Sequence, residues 1–276
     1  MDFTTLGEAL AFARARIDVV DAKVLLRYAA DVTASTLVAY PERALTCEQA
    51  MRFAEWVGRR EYGEPVAHII GEREFFGRMF HVTADTLIPR PDTEIAIECA
   101  LECLHDLASP DVLDLGTGSG VIAVSLALEC PRADVTAVDA SAAALAVARH
   151  NASTLGARMR SLAGSWFEPV AGERFHLIVS NPPYIEEQDA HLSRGDVRFE
   201  PRTALASGAD GLDDIRHIVR EAPAHLADGG WLVLEHGYDQ ASRVRALLVQ
   251  AGFVDVSSRR DLASIERVTS GRFAAR

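Results

Sequence analysis

The 276 residues are 49% apolar and 25% charged, which excludes a disordered chain and leaves room for one large domain beside a smaller one. The formal net charge of −12 argues against a protein that grips long nucleic acid through a basic face. Cys47, Cys99, Cys103 and Cys130 form no C-x-x-C pair, no leader-like run opens the chain, and no stretch approaches the ~20 apolar residues of a membrane span, so a cytoplasmic protein without membrane contact is expected.

Residues 1–73 are expected to be helical. Thr5 with Glu8, and Thr46 with Gln49, are spaced as capping boxes, the second opening a helix to about Arg60. Between them, Asp21–Val32 carries an apolar face through Val24, Leu25, Leu26 and Ala29. Short helices of this kind predict a small bundle, taken as a substrate-docking domain. Residues 74–92 change character. Phe75, Phe76, Phe80 and Val82 around Gly77 suit a hairpin, and Leu87-Ile88-Pro89-Arg90-Pro91 is a stiff extended linker. Asp92 or Thr93 is placed to cap a helix from Glu94 to about Leu107. From there to residue 276, strands and helices alternate. Strands are expected at 112–115, 135–138, 177–180, 231–235, 253–256 and 267–269. The pattern predicts an α/β domain with a parallel sheet wrapped on both faces, binding its ligand beyond the carboxyl ends of the strands.

Asp114-Leu115-Gly116-Thr117-Gly118-Ser119-Gly120 leaves the first of these strands. Its G-x-G-x-G spacing differs from the G-x-G-x-x-G that places a pyrophosphate at a helix start, and it lacks the lysine of a P-loop. Asp139 ends the next strand, where an acid accepts hydrogen bonds from ribose hydroxyls. A nucleoside without a phosphate chain fits this pair, and S-adenosylmethionine is such a ligand. On the loop alone, a methyltransferase and a dehydrogenase both remain open.

Asn181-Pro182-Pro183-Tyr184 follows the Phe175–Ser180 strand at its carboxyl end. An amide or exocyclic amine nitrogen is a poor nucleophile, because its lone pair is delocalised. It is activated by placement, with two acceptors holding its two N–H groups. The Asn181 side-chain carbonyl and the Pro182 backbone carbonyl supply such a pair, the prolines stiffening the segment, and Tyr184 offers an aromatic face. In-line methyl transfer then needs no metal and no covalent intermediate. The same four residues, taken alone, also describe a turn.

The chain resembles the HemK/PrmC family, the peptide chain release factor glutamine N5-methyltransferases. The resemblance covers nearly the full length and rests on Pro65–Gly71, Phe75-Phe76-Gly77, Leu87–Glu94, the glycine loop, Asn181–Tyr184, Glu200-Pro201-Arg202-Thr203-Ala204-Leu205 and Leu234-Glu235-His236-Gly237. It implies a helical N-terminal domain, a hairpin linker and a Rossmann-like seven-stranded methyltransferase domain over residues 93–276. It implies S-adenosylmethionine as methyl donor, S-adenosylhomocysteine as product, and the glutamine of the Gly-Gly-Gln loop of class 1 release factors as acceptor. By position, Gly116, Thr117, Gly118, Gly120, Asp139, Trp166, Phe167 and Asn181 would hold the cofactor. Asn181, Pro182, Pro183, Tyr184, Glu200 and Arg202 would meet the substrate, with Asn181, Pro182 and Tyr184 at the chemistry. Ser165, Ser264 and His68 depart from the family pattern, where an acid, a glycine and a tyrosine are common.

Arg90 also reads as a tie between linker and sheet, and Glu200-Pro201-Arg202 as a roof for the site. The rival enzyme is an amino-methyltransferase of adenine or cytosine, which shares Asn-Pro-Pro-Tyr but not the linker and roof segments. A rival of another class is a binding module that has kept the fold without the chemistry.

Overall fold

Caps set the starts of the first helices. In the computed structural model, which describes residues 3–274, Thr5 and Glu8 close a reciprocal capping box ahead of α1 (Leu6–Arg14). Helix α2 (Val19–Ala30) starts two residues before the expected Asp21, because Asp18 accepts the Val20 N–H at 2.7 Å. Two short helices, α3 (Ala34–Ala39) and α5 (Val66–Ile70), have too few turns to show a period. Between them lies α4 (Cys47–Glu61), capped by Thr46 and Gln49 as expected. Leu6, Leu25, Leu26 and Phe53 form the centre of the core these helices share.

The chain falls into two units. The first runs up to Glu72 and takes in Arg194–Phe199; the second holds Arg73–Ser193 and everything from Glu200 on. The distant segment is tied into the first unit by charge. Arg60 pairs with Asp21 at 2.7 Å and with Asp196 at 2.8 Å, and Arg198 donates to the Tyr62 carbonyl at 2.5 Å.

A hairpin follows, β1 (Glu72–Phe75) and β2 (Arg78–His81), all but its first residue in the second unit, and the chain continues into α6 (Thr93–Cys103). Asp92 stands at the N-cap position without capping; its backbone is helical and its carboxylate pairs with Arg267 at 3.2 Å. Then follow β3 (Asp111–Leu115), α7 (Val121–Glu129), β4 (Asp134–Asp139), α8 (Ala142–Leu155), β5 (Arg160–Ala163) and β6 (Phe175–Ser180). The chain closes with α9 (Asp213–His225), β7 (Leu226–Glu235), α10 (Ala241–Gln250), β8 (Phe253–Arg260) and β9 (Glu266–Phe273). The sheet order is β5-β4-β3-β6-β7-β9-β8. Side chains alternate along β3: Val112 packs with α6 and α7, while Leu113 and Leu115 pack with α9 and α10. This is the expected Rossmann-like arrangement, with one correction. The sheet is mixed, since β9 runs antiparallel to both β7 and β8. Five residues join β8 to β9, too few for a parallel crossover. Ser264 sits in that turn at φ +64°, a left-handed backbone that suits the glycine common there in the resembled family.

After β4 and β5 the chain crosses back to place β6 on the other side of β3. That reversal opens a crevice at the carboxyl ends of β3, β4 and β6. Among the described residues no helix is long and apolar enough to cross a membrane.

Candidate active site

A pocket of about 430 Å³ opens at this reversal. Gly116, Thr117 and Gly118 after β3, Asp139 at the end of β4, Trp166 after β5, and Asn181 and Pro183 after β6 all line it. The linker forms a further wall through Leu87, Pro89 and Arg90.

The glycine loop has a physical requirement at each glycine. Gly116, Gly118 and Gly120 have φ of +70°, +55° and +84°. A Cβ on Gly120 would stand 3.0 Å from that of Ala148, so this glycine lets α7 and α8 meet, and it lies outside the pocket lining. A Cβ on Gly116 would reach the Trp166 ring at 3.7 Å, whereas one on Gly118 would meet nothing within 4 Å. The loop is pinned from behind. The Gly116 and Thr117 N–H groups donate to the Val138 carbonyl at 2.9 and 3.0 Å, and the Thr117 hydroxyl donates to Asp114 at 2.7 Å. Asp139 takes the Gly118 N–H on one oxygen at 2.9 Å and the Ser141 N–H on the other at 2.8 Å. Each carboxylate oxygen keeps a second lone pair for a ligand hydroxyl.

Beneath the loop, Asp114 is fully buried. Burial pushes its carboxyl up to about 7, against the hydrogen bonds from Thr117 and the Ala123 N–H, and with the Asp139 charge adding to the rise. Its Oδ1 has no hydrogen-bond partner among the described residues. Trp166 takes a left-handed backbone, φ +47°, unusual for a bulky residue, and that turn brings its ring over Gly116. Phe167 turns the other way, into the core, where its ring stacks on His225 at 4.6 Å.

Asn181 donates through Nδ2 to the Thr93 hydroxyl at 3.2 Å. Pro182 is buried behind it. Tyr184 does not line the pocket; its hydroxyl reaches Glu235 Oε1 at 3.4 Å, and burial together with that carboxylate pushes its phenol up. The loop is held at the main chain as well. The Tyr184 and Ile185 N–H groups donate to the Leu205 carbonyl at 3.2 and 2.9 Å, and Gln240 donates to the Tyr184 carbonyl at 2.9 Å.

Glu200 and Arg202 stand apart from the pocket. The Glu200 side chain is completely buried, accepting the Ile88 N–H at 2.8 Å and an ion pair from Arg90, so it ties linker to roof. Arg202 is exposed and donates to the Glu187 carbonyl at 3.2 Å, while its neighbours Pro201, Thr203 and Ala204 line the pocket. His176 and His236 are satisfied structural histidines, bonding the Asp111 N–H and the Thr269 hydroxyl. Two buried groups beside the Asn181–Tyr184 segment were missed: Thr93, which the sequence offers only as a cap, and Glu235, at the end of β7. Their signal lies in position, since Glu235 ends a central strand as Asp139 and Ser180 do.

Two family models match the chain. The model described as the methyltransferase small domain matches residues 92–197, and the PrmC N-terminal domain matches residues 7–71. A release factor glutamine methyltransferase of Bordetella pertussis is 52% identical, with 91% of this chain and 93% of the relative covered. Proteins of the same name from Burkholderia pseudomallei and Pseudomonas aeruginosa are 51% and 50% identical; coverage is 93% of this chain and 92% of the relative for the first, and 92% of each for the second. Among solved structures, a Pyrococcus furiosus methyltransferase superposes with a TM-score of 0.55 at 16% identity, covering 80% of this chain and 100% of that one. A T. thermophilus 16S rRNA N2 G1207 methyltransferase, solved with AdoMet and guanosine, gives 0.53 at 21% identity over 73% of this chain and 49% of that one. These two show a shared methyltransferase fold.

Proposed function

The chain belongs to the release factor glutamine methyltransferases, and from that premise we propose that it methylates the side-chain amide nitrogen, N5, of the glutamine in the Gly-Gly-Gln loop of a class 1 release factor, using S-adenosylmethionine. The observation that carries the reading is the shared pocket. A glycine loop with its ribose-type acid, and the Asn181–Pro183 segment, open onto one cavity large enough for a nucleoside, within the roughly 300–1,000 Å³ of small-molecule sites.

The residues present fit S-adenosylmethionine. Gly118, open on its pocket side, would leave backbone for the aminoacyl part, Asp139 would accept from the ribose, and Trp166 would offer its ring to the adenine, with Phe167 packed in the core beside it. Asn181 Oδ1 and the Pro182 carbonyl accept the two N–H groups of the glutamine amide. When bound, S-adenosylmethionine would supply an electrophilic methyl group to the amide nitrogen that Asn181 and Pro182 hold, its sulfur keeping the electron pair of the broken C–S bond and the surplus amide proton going to water. The protein's contribution is placement, which alone supplies orders of magnitude. Glu200, with Arg90, shapes the wall beside the substrate rather than binding it, and Arg202 is free to meet the partner at the rim.

The helical unit docks the body of the release factor and raises the local concentration of its loop. The enzyme accordingly works in the cytoplasm, where its protein substrate is. Incubation of the enzyme with labelled S-adenosylmethionine and a release factor, followed by peptide mass mapping, tests the reading. Label on the loop glutamine is expected. Label on adenine or cytosine of an oligonucleotide, with the release factor unlabelled, would replace it by the nucleic-acid alternative.

A further inference from the structure

S-adenosylmethionine brings one anionic group with it, the α-carboxylate of its methionine part. Taking a carboxylate out of water is costly unless a cation or a set of donors meets it. The rest of the ligand has its partners: the ribose at Asp139, the adenine at Trp166, and the methyl on the side of Asn181. The carboxylate therefore falls to the remaining lining of the pocket. Three acids line that pocket, Asp85, Asp139 and Asp214, and among its described lining residues Arg90 is the one cation.

Arg90 is fixed yet has donors to spare. Pro89 and Pro91 restrict the main chain on either side of it. Its Nη2 pairs with Glu200, whose side chain is 0% exposed, while the Arg90 side chain keeps 34% of its surface open. A guanidinium carries five N–H donors in a planar fork, and among the described residues Glu200 is the one side-chain partner of Arg90. Its position also suits the task. The Arg90 carbonyl accepts the Thr93 N–H at 3.1 Å, and the Thr93 hydroxyl accepts from Asn181 Nδ2 at 3.2 Å. Arg90 thus stands one turn from the residue that touches Asn181, where the methyl-bearing sulfur has to lie, and a short aliphatic chain separates that sulfur from the carboxylate. Charge balances as well: Glu200 neutralises Arg90, and the ligand's own ammonium offsets the second carboxylate. We propose that Arg90, held by Glu200, binds the α-carboxylate of the cofactor's methionine part and so selects a donor that carries one. The proposal rests on S-adenosylmethionine as the methyl donor.

Calorimetry with S-adenosylmethionine and with decarboxylated S-adenosylmethionine, which lacks only that carboxylate, tests this on the native enzyme, Arg90→Lys, Arg90→Gln and the double variant Arg90→Gln/Glu200→Gln. Circular dichroism establishes folding. The native enzyme is expected to prefer S-adenosylmethionine about tenfold or more, the range for hydrogen bonds to a charged group. Arg90→Gln should weaken S-adenosylmethionine about tenfold or more and change the Kd of the decarboxylated ligand by no more than about twofold, so the preference disappears. Arg90→Lys, which keeps the charge without the planar fork, should retain part of the preference. Arg90→Gln strands the buried Glu200 carboxylate; should it not fold, the double variant decides, since its two amides leave no orphan charge, and it should have lost the preference likewise. Equal weakening of both ligands would reduce Arg90 to a structural tie and overturn the proposal. So would an unchanged preference in a folded variant without Arg90, or a native enzyme that binds both ligands alike. A native enzyme that binds neither ligand would instead remove the reading beneath the proposal, so the two failures are distinct.

Discussion

Asn151 holds Ser119. From the middle of α8 its amide Nδ2 donates to the Ser119 carbonyl at 2.8 Å, inside the glycine loop. The same amide also donates to the His81 carbonyl at 2.9 Å and accepts the His81 N–H at 2.8 Å, so one buried side chain joins the linker hairpin to the glycine loop.

Asn151→Ala removes all three bonds and leaves buried backbone groups unmet. A loss of about 2–4 kcal/mol in unfolding free energy is expected, from net values near 1 kcal/mol per bond and more for orphaned groups. S-adenosylmethionine should bind more weakly, because the loop loses its support. Denaturant unfolding and calorimetry check both, and native stability would show that the clamp carries nothing.

Asp139→Ala should weaken S-adenosylmethionine binding by about 1–3 kcal/mol, roughly 5- to 150-fold, the range for hydrogen bonds to a charged group. Part of that loss would come through the Gly118 and Ser141 N–H groups, which Asp139 also holds. An unchanged dissociation constant takes Asp139 out of the site.

Asn181→Ala should keep the fold and most cofactor affinity while losing about 100-fold in turnover, since the acceptor that orients the substrate amide is gone. Near-native kcat would contradict the proposed chemistry.

Glu200→Ala should act on stability first. It strands the Ile88 N–H and Arg90, and a falling melting temperature is expected, with a smaller fall in Glu200→Gln, which still accepts from Ile88. An unchanged melting temperature with a raised KM for the release factor would instead return Glu200 to substrate binding.

Two buried acids should tie stability to pH. Burial lifts both Asp114 and Glu235 to about 7, from ordinary values near 4, so the folded state holds protons that the unfolded chain releases. Their contribution to stability is full below pH 4 and is lost as pH rises through about 7. Melting temperature should therefore drop between about pH 4 and 7, with a shallower slope in Asp114→Asn. The groups facing Glu235 are Thr93, Tyr184, Asp92 and Arg267. An unchanged melting temperature over this interval would mean that neither acid holds its proton in the folded state.

The sequence by itself determined most of the elements and the positions whose conformation depends on their own neighbourhood. The capping boxes at Thr5 and Thr46, the glycine loop, Asp139 and Asn181-Pro182-Pro183 are local statements: a turn, a strand end, a restricted backbone. Strand β5 escaped, because Arg160–Ala163 is short, carries no apolar run and is only partly buried. The tertiary structure alone decided the support behind the site. Glu200 meets Ile88 across 112 positions, Thr93 meets Asn181 across 88, and Asn151 meets Ser119 across 32. A polar side chain in a sequence looks the same whether it ends in water or in a buried bond. Only packing removes the water, and with it the alternative partner, so which acid or amide becomes structural is settled by the fold that buries it.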